Sequence, residues 1–159
     1  MSDIELITSP DTQRQNRVPP RQRLVQTWPV LHAGPVPRIN RGKWTFTVSG
    51  LVEKKRTLSY EEFLSLPRVK VFSDIHCVTG WSRLDNLWEG VSTAAMKQVA
   101  SILPEARFAI VFGSNFFSTN LSLQDFFQSD ALFALRHDGE DLTPEHGGPV
   151  RLVVPRLYF

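Results

Sequence analysis

A single cysteine, Cys77, serves the whole 159-residue chain, so no disulfide can close within it. Its thiol is left for packing, nucleophilic chemistry or metal ligation. No apolar run approaches the length of a membrane span, and the amino terminus, Met1-Ser2-Asp3-Ile4-Glu5, opens acidic, with no hydrophobic core behind a positive region. Arg14 and Arg17 are not followed by the apolar segment that a twin-arginine signal needs. These absences set the expectation of a cytoplasmic protein with no membrane span. Internal repeats and low-complexity tracts are also lacking, which excludes solenoid and fibrous designs. Short pairs of metal-ligand cysteines are missing too, so a structural zinc site is excluded.

What is present is an ordinary globular composition, 42% hydrophobic and 21% charged. That length supports one domain that buries roughly two thirds of its unfolded surface. The net charge of +2 is unevenly placed: residues 1–56 carry ten Lys/Arg against four Asp/Glu, and the rest eight against twelve. The basic charges are scattered among prolines and polar residues rather than lined up on a helix face, so the expected partners exclude nucleic acid. Residues 1–40 hold six of the eleven prolines and read as an extended basic arm; residues 41–159 read as the folded domain.

Along that domain, Trp44, Phe46 and Val48 alternate with polar residues as a half-buried strand. Ser59 and Glu62 form a capping box for a short helix stopped by Pro67. Residues 69–78 read as a strand with Val69, Val71, Ser73, Ile75 and Cys77 on one face, running into a tryptophan-rich loop. A longer helix is expected over about 93–103, a buried strand over 108–112, a weaker one near 119–121, a capped helical turn over 122–127, and strands over 131–136 and 150–154. Strands outnumber helices without regular alternation, which gives an α+β class with a mixed sheet.

The residues themselves leave three readings of Cys77 open. Free cysteine is among the most buried residue types. A nucleophile needs a base or a positive field, and His76, next to it on a strand, points to the opposite face. A metal that takes one protein sulfur must bring its other ligands with it, as molybdenum held by a pterin dithiolene does.

The run Asp74-Ile75-His76-Cys77-Val78-Thr79-Gly80-Trp81-Ser82-Arg83-Leu84-Asp85-Asn86-Leu87-Trp88-Glu89-Gly90-Val91 resembles the molybdenum-cysteine segment of bacterial sulfite oxidase-like oxidoreductases. These belong to the molybdopterin-binding oxidoreductase family, which includes the catalytic subunit of the periplasmic methionine sulfoxide reductase. Trp28-Pro29-Val30-Leu31-His32-Ala33-Gly34-Pro35-Val36-Pro37 and Pro144-Glu145-His146-Gly147-Gly148-Pro149-Val150-Arg151-Leu152-Val153-Val154-Pro155 extend the resemblance over nearly the whole chain.

The resemblance implies a sulfite oxidase-type molybdopterin-binding fold with mixed sheets and short peripheral helices. It implies a molybdenum-molybdopterin (Mo-MPT) cofactor and two-electron oxygen-atom transfer at a Mo-oxo centre on a small sulfur-containing or similar oxo substrate, with an external electron-transfer partner and a monomeric protein. Cys77 is then the catalytic residue and metal ligand, His32 and His146 hydrogen-bond the pterin, and Arg151 approaches its phosphate. Fixed charge-assisted donors suit that anion, and an arginine inside the apolar run Val150–Val153 wants a buried partner. Trp81 and Trp88 read as packing, Asp74, Asp85 and Glu89 as solvated or salt-bridged, and Phe116 and Phe117 resemble a pocket-side strand only loosely. The family continues past Phe159 through a Trp-Lys-Ser-x-Lys-Trp segment that grips the cofactor. The alternative expectation is therefore a truncated, non-catalytic member that only binds the cofactor.

Overall fold

The computed structural model describes residues 4–115 and 117–158. Met1–Asp3, Phe116 and Phe159 of the sequence reading lie outside the described residues. Its centre is a long hairpin of β5 (Arg68–Cys77) and β6 (Trp81–Ser92). Their antiparallel register runs from Arg68 opposite Val91 to Cys77 opposite Trp81. Outward from it the seven-stranded sheet continues through β9 (Leu132–His137) and β10 (Glu140–Asp141) on one side, and β1 (Glu5–Thr8) on the other. β2 (Arg23–Leu24) joins β6, and β11 (Arg151–Val153) joins β9. β1 and β2 pair in parallel and the remaining neighbours antiparallel, which makes the sheet mixed.

Alternation divides the sheet into two faces. One carries Val69, Val71, Ile75, Cys77, Trp81, Trp88 and Val153, covered by Ile7, Val25 and Trp28 of the proline-rich segment. The other carries Val91, Phe133 and Leu135, packed against Phe63, Phe126, Leu58 and Phe46. The second face is covered by the ribbon β3 (Thr45–Val48) with β4 (Arg56–Ser59), and by α1 (Tyr60–Leu64). The capping box forms as expected: Glu62 N–H donates to Ser59 Oγ at 3.2 Å, and Ser59 N–H to Glu62 Oε2 at 2.7 Å.

Three expectations are corrected. The tryptophan-rich stretch is strand β6 rather than loop, its polar residues satisfied inside the sheet: Asn86, fully buried, donates to the carbonyls of Ser73 and Arg83. The helix expected over 93–103 shortens to a 3-10 turn, Thr93–Ala95, and one α-turn, α2 (Met96–Val99). There the chain turns extended at buried Ala100, and Ile102 bridges to Val52. The strand β7 (Phe108–Phe112) forms with β8 (Ser118–Ser122), but it is not buried. Ala109 and Val111 pack inward, while Phe108, Ile110 and Phe112 face out. α3 (Leu123–Phe126) begins at Ser122, whose hydroxyl accepts from Asp125 N–H at 3.0 Å.

The proline-rich segment is pinned along its length. Arg17 forks onto fully buried Asp74 with N–O distances of 2.9 and 2.6 Å, and reaches Asp85 at 2.6 Å. Asp74 sits at the register shift between Ser73 and Ile75, where the bulge frees its carboxylate for the arginine. Farther on, Arg23 N–H donates to Gly80 O at 3.0 Å, Val25 N–H to Ser82 O at 2.9 Å, and Gln22 Nε2 to Cys77 O at 3.1 Å. These bonds carry Trp28 onto the sheet face that holds the cysteine.

Candidate active site around Cys77

Cys77 ends β5 at the mouth of a three-residue hairpin loop, Val78-Thr79-Gly80. Gly80 takes a positive φ of 90°, and its N–H closes the turn on Cys77 O at 2.9 Å. The thiol is buried, facing the side of the sheet covered by Trp28, and it accepts a hydrogen bond from the Thr79 hydroxyl at 3.1 Å. His76 points to the other face, where Nδ1 meets Ser82 Oγ at 2.7 Å, so it is no base for the thiol. Burial lowers the pKa of His76 against the pull of Asp74 and Asp11.

Beside the sulfur lies a cavity of about 120 Å³. Its wall draws on four stretches of chain: Trp28 and Leu31 from the proline-rich segment, Cys77 and Trp81 from the hairpin, His146 from a 3-10 turn, and Arg151 from β11. The 3-10 turn Pro144–His146 ends at Gly147, in the left-handed region with φ 92°, and the next residue is equally constrained. A Cβ on Gly148 would sit 2.1 Å from Leu142 O, so only glycine lets the chain pass there and bring His146 to Arg151.

The Trp28 ring is the hub of this wall. It stacks on His137 at 4.8 Å and 16°, and tilts against His146 at 4.3 Å and Trp88 at 5.2 Å. The Arg151 guanidinium lies over its face, 5.4 Å from the centroid. Arg151 also donates to His146 O at 3.2 Å. Burial drives the Arg151 pKa down to about 10, opposed by the nearby Cys77 sulfur. His146 is lowered as well, first by burial and then by the Arg151 charge, so its ring is held neutral.

Two buried nitrogens in this wall, Trp81 Nε1 and His146 Nε2, have no hydrogen-bond partner. Buried polar groups are rarely left so, and an orphaned pair in one wall marks a place built for a polar guest. A soft sulfur, orphaned ring nitrogens and a guanidinium are a donor set that fits a sulfur-ligated metal joined to a pterin and an anionic tail. Among the described residues no group of three or more His, Cys, Asp or Glu can hold a metal by itself.

The structure therefore brings together three of the four residues singled out in the sequence. Cys77, His146 and Arg151 share the cavity wall. His32 does not: it is exposed, and its Nε2 donates to Glu145 O at 2.7 Å, one residue from His146. Sequence reasoning missed Trp28 as a residue of this wall, although it lies inside a motif run. Trp81 and Trp88 pack as expected, while Asp74, Asp85 and Glu89 are ion-paired.

A second polar group adjoins the wall. Arg83 donates to Asp138 at 2.7 Å and lies 2.9 Å from His137 Nε2, which is also 3.0 Å from Asn86 Oδ1. Burial, aided by Arg83 and His146 against Asp138, lowers its pKa to about 4.

Residues 33–159 match the oxidoreductase molybdopterin-binding domain, and the chain belongs to that family. It is 46% identical over 147 residues to the uncharacterized oxidoreductase YuiH of Bacillus subtilis, covering 92% of this chain and 74% of that one. Against the protein-methionine-sulfoxide reductase catalytic subunit MsrP of Campylobacter jejuni it is 30% identical, covering 75% of this chain and 46% of that protein. In three dimensions it is similar to the sulfane dehydrogenase SoxCD from Paracoccus pantotrophus, with a TM-score of 0.69, 22% identity, and coverage of 77% of this chain and 36% of that chain. The chain thus spans about three quarters of the Bacillus relative and less than half of the other two. The α+β, sulfite oxidase-type fold expected from the motifs is the fold observed.

Proposed function

We propose that this chain is a molybdenum-molybdopterin-dependent oxidoreductase acting on a small sulfur-containing or similar oxo substrate. The observation that carries the reading is the shared wall of the Cys77 cavity, where a buried sulfur, two orphaned ring nitrogens and a half-buried guanidinium meet from distant parts of the chain. The names of the sulfoxide reductase and sulfane dehydrogenase relatives support the substrate class.

In this reading Cys77 gives its thiolate to the metal. His146 Nε2 and Trp81 Nε1 hydrogen-bond polar edges of the bound group, and Arg151 neutralises the phosphate of the pterin. The family resemblance gives His32 a hydrogen bond to the pterin, and in this structure its Nε2 is held by Glu145 O, one residue from His146. Trp28 shields the site from water on the side away from the sheet. When bound, the cofactor supplies two-electron oxygen-atom transfer, its electrons passing to or from an external protein partner. None of the helices of the described residues is long and apolar enough to cross a membrane.

X-ray absorption at the molybdenum edge of the purified protein beside its Cys77→Ser variant tests this. Molybdenum is expected in the first, with one sulfur neighbour fewer in the second, because the pterin keeps its own sulfur ligands while the protein sulfur is gone. The same number of sulfur neighbours in both overturns the ligand assignment.

A further inference from the structure

We propose that Thr79 is a positioning residue for the sulfur of Cys77: its hydroxyl donates a hydrogen bond to Sγ and so limits how much electron density that sulfur can give to a metal. The proposal rests on the metal-ligand reading of Cys77.

The geometry comes from the hairpin itself. Cys77 and Trp81 are cross-strand partners, which leaves only Val78, Thr79 and Gly80 to turn the chain. With Gly80 in the left-handed region and its N–H on Cys77 O, the loop curls back over the end of β5. Val78 points away from the fold, 77% exposed. Thr79 instead folds toward the strand end, and Oγ1 stops 3.1 Å from Sγ, well within the range for a hydroxyl on sulfur. His76, the other polar neighbour in sequence, is turned to Ser82 on the opposite face. The sequence Cys-Val-Thr-Gly therefore builds its own donor to the sulfur within three residues, independent of the long-range contacts that assemble the rest of the wall.

The chemical consequence has a fixed sign. A hydrogen bond to the sulfur draws electron density away from it, and bonds of this kind around a ligating cysteine tune the potential of the metal. Removing the donor makes the sulfur a stronger donor, which favours the oxidised metal and lowers its reduction potential. Serine in place of Thr79 keeps the hydroxyl; valine keeps the branched shape and loses it.

The test compares wild type, Thr79→Ser and Thr79→Val in two arms. In the first, the cofactor-free full chain is studied by Raman spectroscopy, and because there is one cysteine, the S–H stretching band reports this sulfur alone. Valine, which removes the donor, shifts that band from its wild-type position, and serine returns it. In the second, the molybdenum-loaded proteins are titrated electrochemically: valine lowers the potential of the molybdenum couple at unchanged metal content, and serine returns it toward wild type. An S–H band at one position in all three proteins overturns the hydrogen-bond proposal whether or not metal is present. A wild-type protein that carries no molybdenum overturns the metal reading instead, and the Raman arm still decides the role of Thr79.

Discussion

The two faces of the central sheet are built to different rules. On the face under α1, aromatic rings fill the space edge to face: Phe46 meets Phe133 at 5.0 Å and 76°, and Phe63, fully buried, lies 4.9 Å from Phe46. On the Cys77 face the packing is mixed with chemistry. The rings there include two histidines, a guanidinium lies over Trp28, and two buried nitrogens lack partners. The first face maximises apolar burial and ring contact. The second gives up some of that stability to hold open a polar cavity, as functional sites commonly do.

This contrast can be broken from either side. Phe63→Ala should be the most damaging substitution, costing about 3–5 kcal/mol in urea denaturation through the cavity it leaves. A loss under about 1 kcal/mol would mean that the aromatic face does not carry the fold.

The Cys77 face should show itself through pH. His137 has a folded-state pKa lowered to about 4 against an ordinary value of 6.5. The unfolded chain therefore binds the extra proton first as pH falls. The stability due to the neutral ring is complete above 6.5 and drains away between 6.5 and 4, about 2 kcal/mol of it between pH 7 and pH 5. Denaturation at those two pH values should show this slope in the wild type and a flatter one in His137→Gln. Equal slopes would mean that the ring is not held neutral by its surroundings.

The smallest effect belongs to the edge of the aromatic face. Ser59→Ala removes the capping box of α1 and should lower stability by about 1 kcal/mol, read as a modest fall in thermal midpoint. Because α1 lies on the far face, molybdenum content should not change with it; if it does, the two faces are coupled.

The legible parts of this chain were those fixed by neighbours in sequence. The capping box at Ser59 and Glu62, strand β5 with its alternating apolar side, and the helical turn capped at Ser122 could all be read directly. Strand β6 could not, because Asn86 and Arg83 look like loop residues until Ser73 O and Asp138 are across the sheet to receive them. The expected helix after Thr93 failed for a related reason: Ile102 has a partner in Val52, a pairing that helical period cannot reveal. For β7 the apolar content was read correctly and the exposure was not, since nothing local says which side of a ribbon meets the core. At the site, Cys77, His146 and Arg151 were legible as residue types in motifs, while Trp28 was visible only as part of a run.

Local chemistry was thus settled by the sequence: one thiol at the end of an alternating strand, and a histidine and an arginine five residues apart around Gly147 and Gly148. Their meeting was settled by tertiary structure alone. Carrying Trp28 onto the sheet required Arg17 on Asp74 and the short parallel pairing of β2 with β6, and bringing His146 and Arg151 beside the sulfur required β11 on β9. Those contacts join residues far apart in the chain, and their loop-closure cost is repaid only when the whole sheet forms, so no window of sequence contains them.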